Sequence, residues 1–239
     1  MLAKSAVLVL GSVKYGDSSV ILKTYSEKFG LLSFIAGGVR GKKGSLRPSM
    51  IQVLNQLEVV FYQNSKSELR RIKEVTVPRA YQNLLFDPFK NCISLFLAEA
   101  LSHFIREEEV NEPLYHYLSQ SLYWLDEVQE GTANFHLVFL YDLSGFLGFK
   151  IQPPADDPYF DLLGGNYAAH EPPHNHVLRD DLLKHWKMLG RTEMSDLAEL
   201  KLNGNTRYKL LEALLTYYRL HLKDFGELRS LDVLHTVLH

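Results

Sequence analysis

The amino-acid sequence predicts an α+β protein in which a small five-stranded barrel precedes a helical domain. In the first third of the chain, apolar residues fall in short alternating runs that turn-forming residues separate, which is typical of strands. Beyond Pro78 they recur at spacings of three and four, which is typical of helices. Residues 1–80 hold 13 Lys and Arg against 5 Asp and Glu, whereas residues 81–239 hold 13 against 23. These changes predict two domains with different partners, over residues 1–79 and 80–239.

Five runs rich in β-branched and aromatic residues account for the first domain. They span residues 5–15, 17–26, 30–39, 51–63 and 67–77. Turn-forming residues separate them, as at Gly16-Asp17 and at Asn64-Ser65-Lys66. Five short strands that follow one another in this way predict a closed barrel of the OB-fold type.

Helical patterns follow in the second domain. They begin at Asp87, Glu112, Asn134, Asp180 and Thr206. The first has a clear start, since Asp is a preferred N-cap and Pro88 suits the first turn. Residues 153–178, between the third and fourth helices, are rich in Pro, Gly, Asp and His, which excludes a helix there. We expect a protruding loop that contains one short hairpin, with residues 159–163 against 167–169.

The positive charge of the first domain predicts binding to a polyanion, and nucleic acid is the polyanion that OB-fold barrels commonly bind. Basic residues concentrate in a glycine-rich segment, residues 37–48, and again in residues 66–73. Glycines let the backbone approach phosphates closely, and Lys and Arg there suit contacts that do not depend on sequence. The predicted nucleic-acid-binding residues are Lys14, Arg40, Lys42, Lys43, Arg47, Lys66, Arg70, Arg71 and Lys73.

Aromatic residues of the same domain are candidates for stacking on bases. They are Tyr15, Tyr25, Phe34, Phe61 and Tyr62. A small barrel must be filled from within, so most of them are expected in its core and only one or two of the tyrosines on its surface.

The sequence carries none of the common catalytic signatures and no nucleotide-binding P-loop, which predicts a protein that is not an enzyme. Cys92 is the single cysteine, so an internal disulfide and a thiolate zinc site are excluded, and no cofactor or metal is expected. The sequence has no run of eighteen apolar residues, so no membrane-spanning helix is predicted. Two alternatives stay open. One is an RNA-binding barrel, and the other is a metal-dependent hydrolase that uses His170, His174 and His176, with Asp161 nearby.

Several stretches resemble the RecO family of bacterial recombination mediators. They are residues 13–19 (Val-Lys-Tyr-Gly-Asp-Ser-Ser), 24–32, 37–46 and, near the end, 210–231. The resemblance implies a non-enzymatic protein of DNA repair that binds single- and double-stranded DNA and anneals complementary strands. It also implies that the protein acts with RecR to load RecA onto single strands coated by the single-strand-binding protein (SSB). The C-terminal tail of SSB would bind this protein. RecF is a further candidate partner, and the expected location is the cytoplasm, at the nucleoid.

One departure from the RecO family lies in the inserted element. Many members carry a four-cysteine zinc module there, but residues 159–176 hold no cysteine. The resemblance therefore implies a degenerate module, over residues 153–178, that lacks zinc ligands.

Overall fold

In the computed structural model, which describes residues 1–16, 19–37, 46–63, 68–106 and 109–238, the chain forms two compact units. Unit 1 is Met1–Asp126 and unit 2 is Glu127–His239. Unit 1 joins the barrel to the first two helices of the chain. The predicted division at residue 80 rests on a change in the spacing of apolar residues and on a change in the balance of charged residues. It stays a prediction.

A closed barrel of five strands begins unit 1. The strands are β1 (Leu2–Tyr15), β2 (Ser19–Ser26), β3 (Gly30–Ala36), β4 (Gln56–Tyr62) and β5 (Leu69–Thr76). Their order around the barrel is β1-β2-β3-β5-β4, and β1 closes it by pairing with β4. Neighbouring strands are antiparallel except for β3 and β5, which run parallel. The predicted barrel of the OB-fold type is confirmed.

Alternation along the strands fills the barrel with apolar side chains. Val9, Leu22 and Phe34 are fully buried, and Phe61 is almost so. The ring of Phe61 lies edge-on to Phe34, with 5.1 Å between centroids, and edge-on to Phe29 at 5.4 Å. Phe34 and Phe61 therefore belong to the core, as expected for most of the aromatic residues.

Two helices complete unit 1, α1 (Pro88–Phe104) and α2 (Glu112–Glu127), and unit 1 ends one residue before the end of α2. The Asp87 carboxylate accepts the N–H groups of Phe89 and Lys90 at 2.8 and 3.1 Å, so the predicted N-cap is confirmed. Gln56 on β4 fixes α2 to the barrel, because its amide donates to the carbonyl of Ser119 at 3.1 Å.

Unit 2 contains four helices in the described part of the chain, α3 (Phe135–Phe146), α4 (Asp180–Leu189), α5 (Gly204–His221) and α6 (Ser230–Leu238). None of the helices among the described residues is long and apolar enough to cross a membrane.

The inserted element forms a three-stranded sheet of β6 (Tyr159–Asp161), β7 (Asn166–Ala168) and β8 (Val177–Leu178), in the order β7-β6-β8. The predicted hairpin is confirmed as β6 and β7, and β8 adds a strand that was not predicted.

The inserted sheet contributes to the core of unit 2. Phe160 on β6 is fully buried. Its ring centroid lies 4.8 Å from that of Tyr167, 5.2 Å from Trp186 on α4 and 6.4 Å from Tyr217 on α5. These four rings, the aromatic cluster, hold the sheet against two helices by apolar burial.

Gly131, in the loop before α3, is expected to tolerate no side chain. It has a positive φ of 75°, and an added Cβ would lie 2.5 Å from the backbone carbon of Leu197. We expect Gly131→Ala to lower the free energy of unfolding by more than about 1 kcal/mol in urea denaturation. Gly148→Ala is the matched control, because Gly148 has a φ of 88° but no atom within 4 Å of its Cβ position. Equal losses in the two variants would contradict the close approach.

Candidate nucleic-acid interface

Two rows of paired residues cross the outside of the barrel on β1, β2, β3 and β5. The first row is Gly11, Lys23, Ser33 and Leu69, and the second is Val13, Ile21, Ile35 and Arg71. Residues directly opposite in a sheet point to the same side, and the row between these two contains the buried Leu22 and Phe34. Both rows therefore point outwards, and we call these eight residues the outer face.

The outer face combines cations with apolar side chains. Lys23 and Arg71 are both exposed and stand on its neighbouring rows. Among the described residues, neither of them has an ion-pair partner. Val13 is 55% exposed, and Ile21 and Ile35 are half-buried beside it. The surface thus offers fixed positive charge and apolar contact area together, which suits a nucleic-acid strand.

Four other predicted residues are described, and each has its own setting. Lys14 is exposed at the end of β1, where it pairs with Val20. Arg47 is exposed just before a short 3₁₀ helix (Pro48–Ile51). The Arg70 guanidinium donates to the carbonyl of Gln63 at 2.9 Å, and the Lys73 ammonium lies 3.4 Å from the Glu74 carboxylate. Lys14 and Arg47 are therefore the more accessible of the four.

Four predicted binding residues fall outside the described residues. They are Arg40, Lys42, Lys43 and Lys66. The described strands that flank their segments lie side by side, since Ile35 near the end of β3 pairs with Arg71 near the start of β5. β3 precedes residues 38–45 in the sequence and β5 follows residues 64–67, and both of these strands contribute to the outer face.

Of the three tyrosines among the candidate stacking residues, two are exposed and one is buried. Tyr15 is 52% exposed and Tyr62 is 46% exposed. Tyr25 is 1% exposed, and its hydroxyl donates to the carbonyl of Asn111 at 3.3 Å. The candidacy of Tyr25 is therefore wrong, because the start of α2 covers a ring that strand alternation places on the outside of the barrel.

Lys23 was missing from the predicted binding residues. Alternation along β2 places it on the side of Ile21, opposite Leu22 and Thr24. That pattern is visible in the sequence, but Lys23 stands alone on its strand and does not belong to a basic cluster. Its placement on one face with Arg71 arises only when β3 pairs with β5.

Comparison with known proteins identifies the family. The family model described as Recombination protein O N terminal matches residues 1–81, and the model described as Recombination protein O C terminal matches residues 85–232. The chain belongs to the RecO family. The DNA repair protein RecO of Christiangramia forsetii is 37% identical over 242 residues, with 99% of each chain covered. That of Bacteroides fragilis is 38% identical over 239 residues, with 98% of each chain covered.

Membership of the RecO family gives the protein a role in DNA repair and recombination. RecO proteins form a family of repair mediators and not a known family of enzymes. The outer face is part of the region that the N-terminal RecO model matches.

The inserted element does not fit the zinc module that many RecO proteins carry. It holds no thiolate, and the single cysteine, Cys92, is buried in α1 of unit 1. The aromatic cluster around Phe160 supports the sheet instead. Asp161 shapes its turn, because one carboxylate oxygen accepts the N–H groups of Leu163 and Gly164 at 2.8 and 3.0 Å.

The histidines of this element do not converge on a metal position. His174 Nε2 lies 3.3 Å from the Asp161 carboxylate, while the ring centroids of His174 and His176 are 6.1 Å apart. Within the part of the chain that the structure describes, residues 156–178 bring no three ligand atoms together. Their geometry gives no support to a hydrolase.

Proposed function

We propose that this member of the RecO family binds single- and double-stranded DNA through the outer face of its barrel and anneals complementary strands. The observation that carries the proposal is the position of Lys23 and Arg71, exposed on neighbouring rows of one face beside apolar side chains. Phosphate contacts by these cations release counterions, which supplies binding free energy that does not depend on sequence. Tyr15 offers a ring for base stacking at the end of the same sheet.

Annealing follows from the same chemistry. Two strands repel each other through their phosphates, so a surface that neutralises both lowers the cost of bringing them together. Arg40, Lys42, Lys43 and Lys66 belong to this proposal on the basis of sequence, together with Lys14, Arg47, Arg70 and Lys73. The protein itself makes and breaks no covalent bond in this scheme.

The proposed setting is the loading of RecA onto single strands that SSB coats, in the cytoplasm at the nucleoid. RecR is the proposed co-worker, RecF is a further candidate partner, and the C-terminal tail of SSB is the proposed contact with the coated strand. Family membership supports these partners, and each of them is a proposal for this chain.

A cleft on unit 2 is our proposed site for the tail of SSB. Its volume is about 530 Å³, and it is lined by Pro158, Asp180, Leu183, Lys184, Lys187, Met188 and Arg191. Leu183 and Met188 supply apolar surface, while Lys184 and Arg191 are exposed cations. The Lys187 ammonium is already held by the carbonyl of Asp157 at 2.8 Å. A lining that combines apolar side chains with cations suits a peptide end that combines an apolar side chain with a carboxylate.

An annealing assay tests this function. We expect the full chain to accelerate pairing of complementary single strands, both bare and coated with the cognate SSB. A Lys184→Glu, Arg191→Glu variant is expected to anneal bare strands at the normal rate but to lose at least about tenfold in rate on coated strands, since it reverses two cations of the cleft.

Matched RNA strands provide the control for the substrate. Strong preference for RNA over DNA in competition would replace the proposal with the RNA-binding alternative. Failure of the full chain to anneal bare DNA would contradict the proposed function, whereas equal loss on bare and coated strands in the cleft variant would contradict only the site for the tail.

A further inference from the structure

Three potential metal ligands meet in unit 1 where a strand turn approaches the start of α2. Glu27 lies in the turn between β2 and β3, and Glu112 and His116 lie one helical turn apart. His116 Nε2 is 3.3 Å from Oε1 of Glu112 and 3.7 Å from Oε1 of Glu27. One ligand atom from each of the three residues lies within 4.8 Å of the others. Among the described residues, no other group of three potential ligands converges in this way.

The two separations from His116 Nε2 are close to those between ligand atoms around a bound divalent metal. Ligand atoms about 2.1 Å from Zn²⁺ are about 3.4 Å apart at tetrahedral angles. Imidazole nitrogen with carboxylate oxygen is a donor set that Zn²⁺ and its first-row neighbours accept. Three protein ligands leave a fourth position for water. A cation at the centre would also offset the repulsion between the two carboxylates.

Hydrogen bonds hold the two ligand-bearing elements in place. The Glu27 N–H donates to the carbonyl of Ala6 at 3.0 Å, which ties the β2–β3 turn to β1. The hydroxyl of Tyr25 donates to the carbonyl of Asn111, the residue just before α2. The Asn111 side chain in turn accepts the N–H of Leu114 at 3.0 Å. The backbone positions of the ligands are therefore set before any metal binds, which lowers the cost of ordering them.

We propose that Glu27, Glu112 and His116 bind one divalent cation of the Zn²⁺ class, which links the β2–β3 turn to α2. The site would stabilise the attachment of the helix to the barrel, since a ligand that binds only the folded state raises its stability. None of the three residues belongs to the outer face, so the proposal stands apart from the proposed binding of DNA.

Calorimetric titration with ZnCl₂ tests the proposal on the full chain, purified without a tag and treated with a chelator. We expect saturation at one Zn²⁺ per chain and a rise in the Tm with added Zn²⁺. His116→Ala and Glu112→Gln are each expected to weaken the affinity by more than about tenfold and to remove the rise in Tm. Both side chains are well exposed, so these variants are expected to fold, which circular dichroism checks.

Two other variants serve as matched controls. His185→Ala removes a histidine that also lies one helical turn from a carboxylate, 3.7 Å from Asp181, but has no third ligand. His174→Ala removes the histidine paired with Asp161 in the inserted element. Both controls are expected to keep the affinity for Zn²⁺. Absence of saturable binding, or loss of binding in a control but not in His116→Ala, would overturn the proposal whatever the protein does with DNA.

Discussion

The triple variant Lys14→Glu, Lys23→Glu, Arg71→Glu, which reverses three charges on the barrel, is expected to bind single-stranded DNA about fiftyfold or more weakly at 0.15 M salt. Each phosphate contact to a single strand contributes a slope of about 0.7 to the dependence of log affinity on log salt. Three lost contacts lower the slope by about 2.1, which corresponds to about a factor of fifty in affinity between a 1 M reference and 0.15 M salt. The three new negative charges add repulsion. Fluorescence anisotropy with a labelled oligonucleotide measures the affinity.

The matched control reverses the same number of charges on unit 2. Lys201, Lys209 and Lys223 are all exposed, and changing each of them to Glu alters the net charge by the same amount. We expect this control to lose less than about threefold in affinity, because none of these lysines belongs to the outer face and exposed charges that make no phosphate contact are largely screened. If both triple variants lose affinity equally, net charge and not the outer face governs binding.

The Asp126→Ala variant, which lacks a buried carboxylate, is expected to lower the free energy of unfolding of unit 1 by about 3 kcal/mol or more. Asp126 is 2% exposed, and its oxygens accept the backbone N–H groups of Gln82, Asn83 and Leu84 at 2.7 to 3.1 Å. Alanine would leave these three donors without an acceptor. It would also remove the negative charge near Lys90, which is itself buried. Urea denaturation measures the loss.

The same carboxylate should make stability depend on pH. Burial by itself would raise the pKa of Asp126, but the three backbone N–H groups and the Lys90 ammonium outweigh burial and hold the pKa below its ordinary value. A carboxyl whose pKa is lower in the folded state stabilises the fold above its unfolded pKa of about 3.9, and this contribution is lost as the pH falls through the folded pKa. The difference in stability between the natural chain and Asp126→Asn should therefore shrink below about pH 4.

Glu127→Ala provides the control for both measurements, because Glu127 is the exposed neighbour of Asp126. We expect a change of less than about 0.5 kcal/mol in this variant. A similar effect of the two alanine substitutions would show that the buried hydrogen bonds of Asp126 contribute little.

The barrel could be predicted from the sequence because its signals are local. Alternating apolar residues and turn-forming residues mark each strand, and the Asp87-Pro88 pair marks the start of α1. The inserted strand β8 was missed, since it has only two residues, Val177 and Leu178, and depends on pairing with β6. Short strands of this kind carry no periodic signal of their own.

The candidate site was harder to predict, because it depends on contacts between distant parts of the chain. Strand alternation alone places Tyr25 on the outside, and only its contact with Asn111 shows that α2 covers it. Lys23 joins Arg71 through the pairing of β2, β3 and β5. The meeting of Glu27 with His116 likewise depends on how α2 packs on the barrel. None of these long-range contacts leaves a periodic trace in the sequence.

The decisive measurement is a salt titration of single-strand affinity for the natural chain and for the Lys14→Glu, Lys23→Glu, Arg71→Glu variant, followed in parallel. If the outer face and the neighbouring Lys14 bind phosphates, the slope of log affinity against log salt should be shallower in the variant by about 2, which corresponds to three lost contacts. A Lys42→Glu, Lys43→Glu, Arg47→Glu variant tests the glycine-rich segment in the same way. Unchanged affinity and unchanged slope in the first variant would contradict binding of DNA by the outer face.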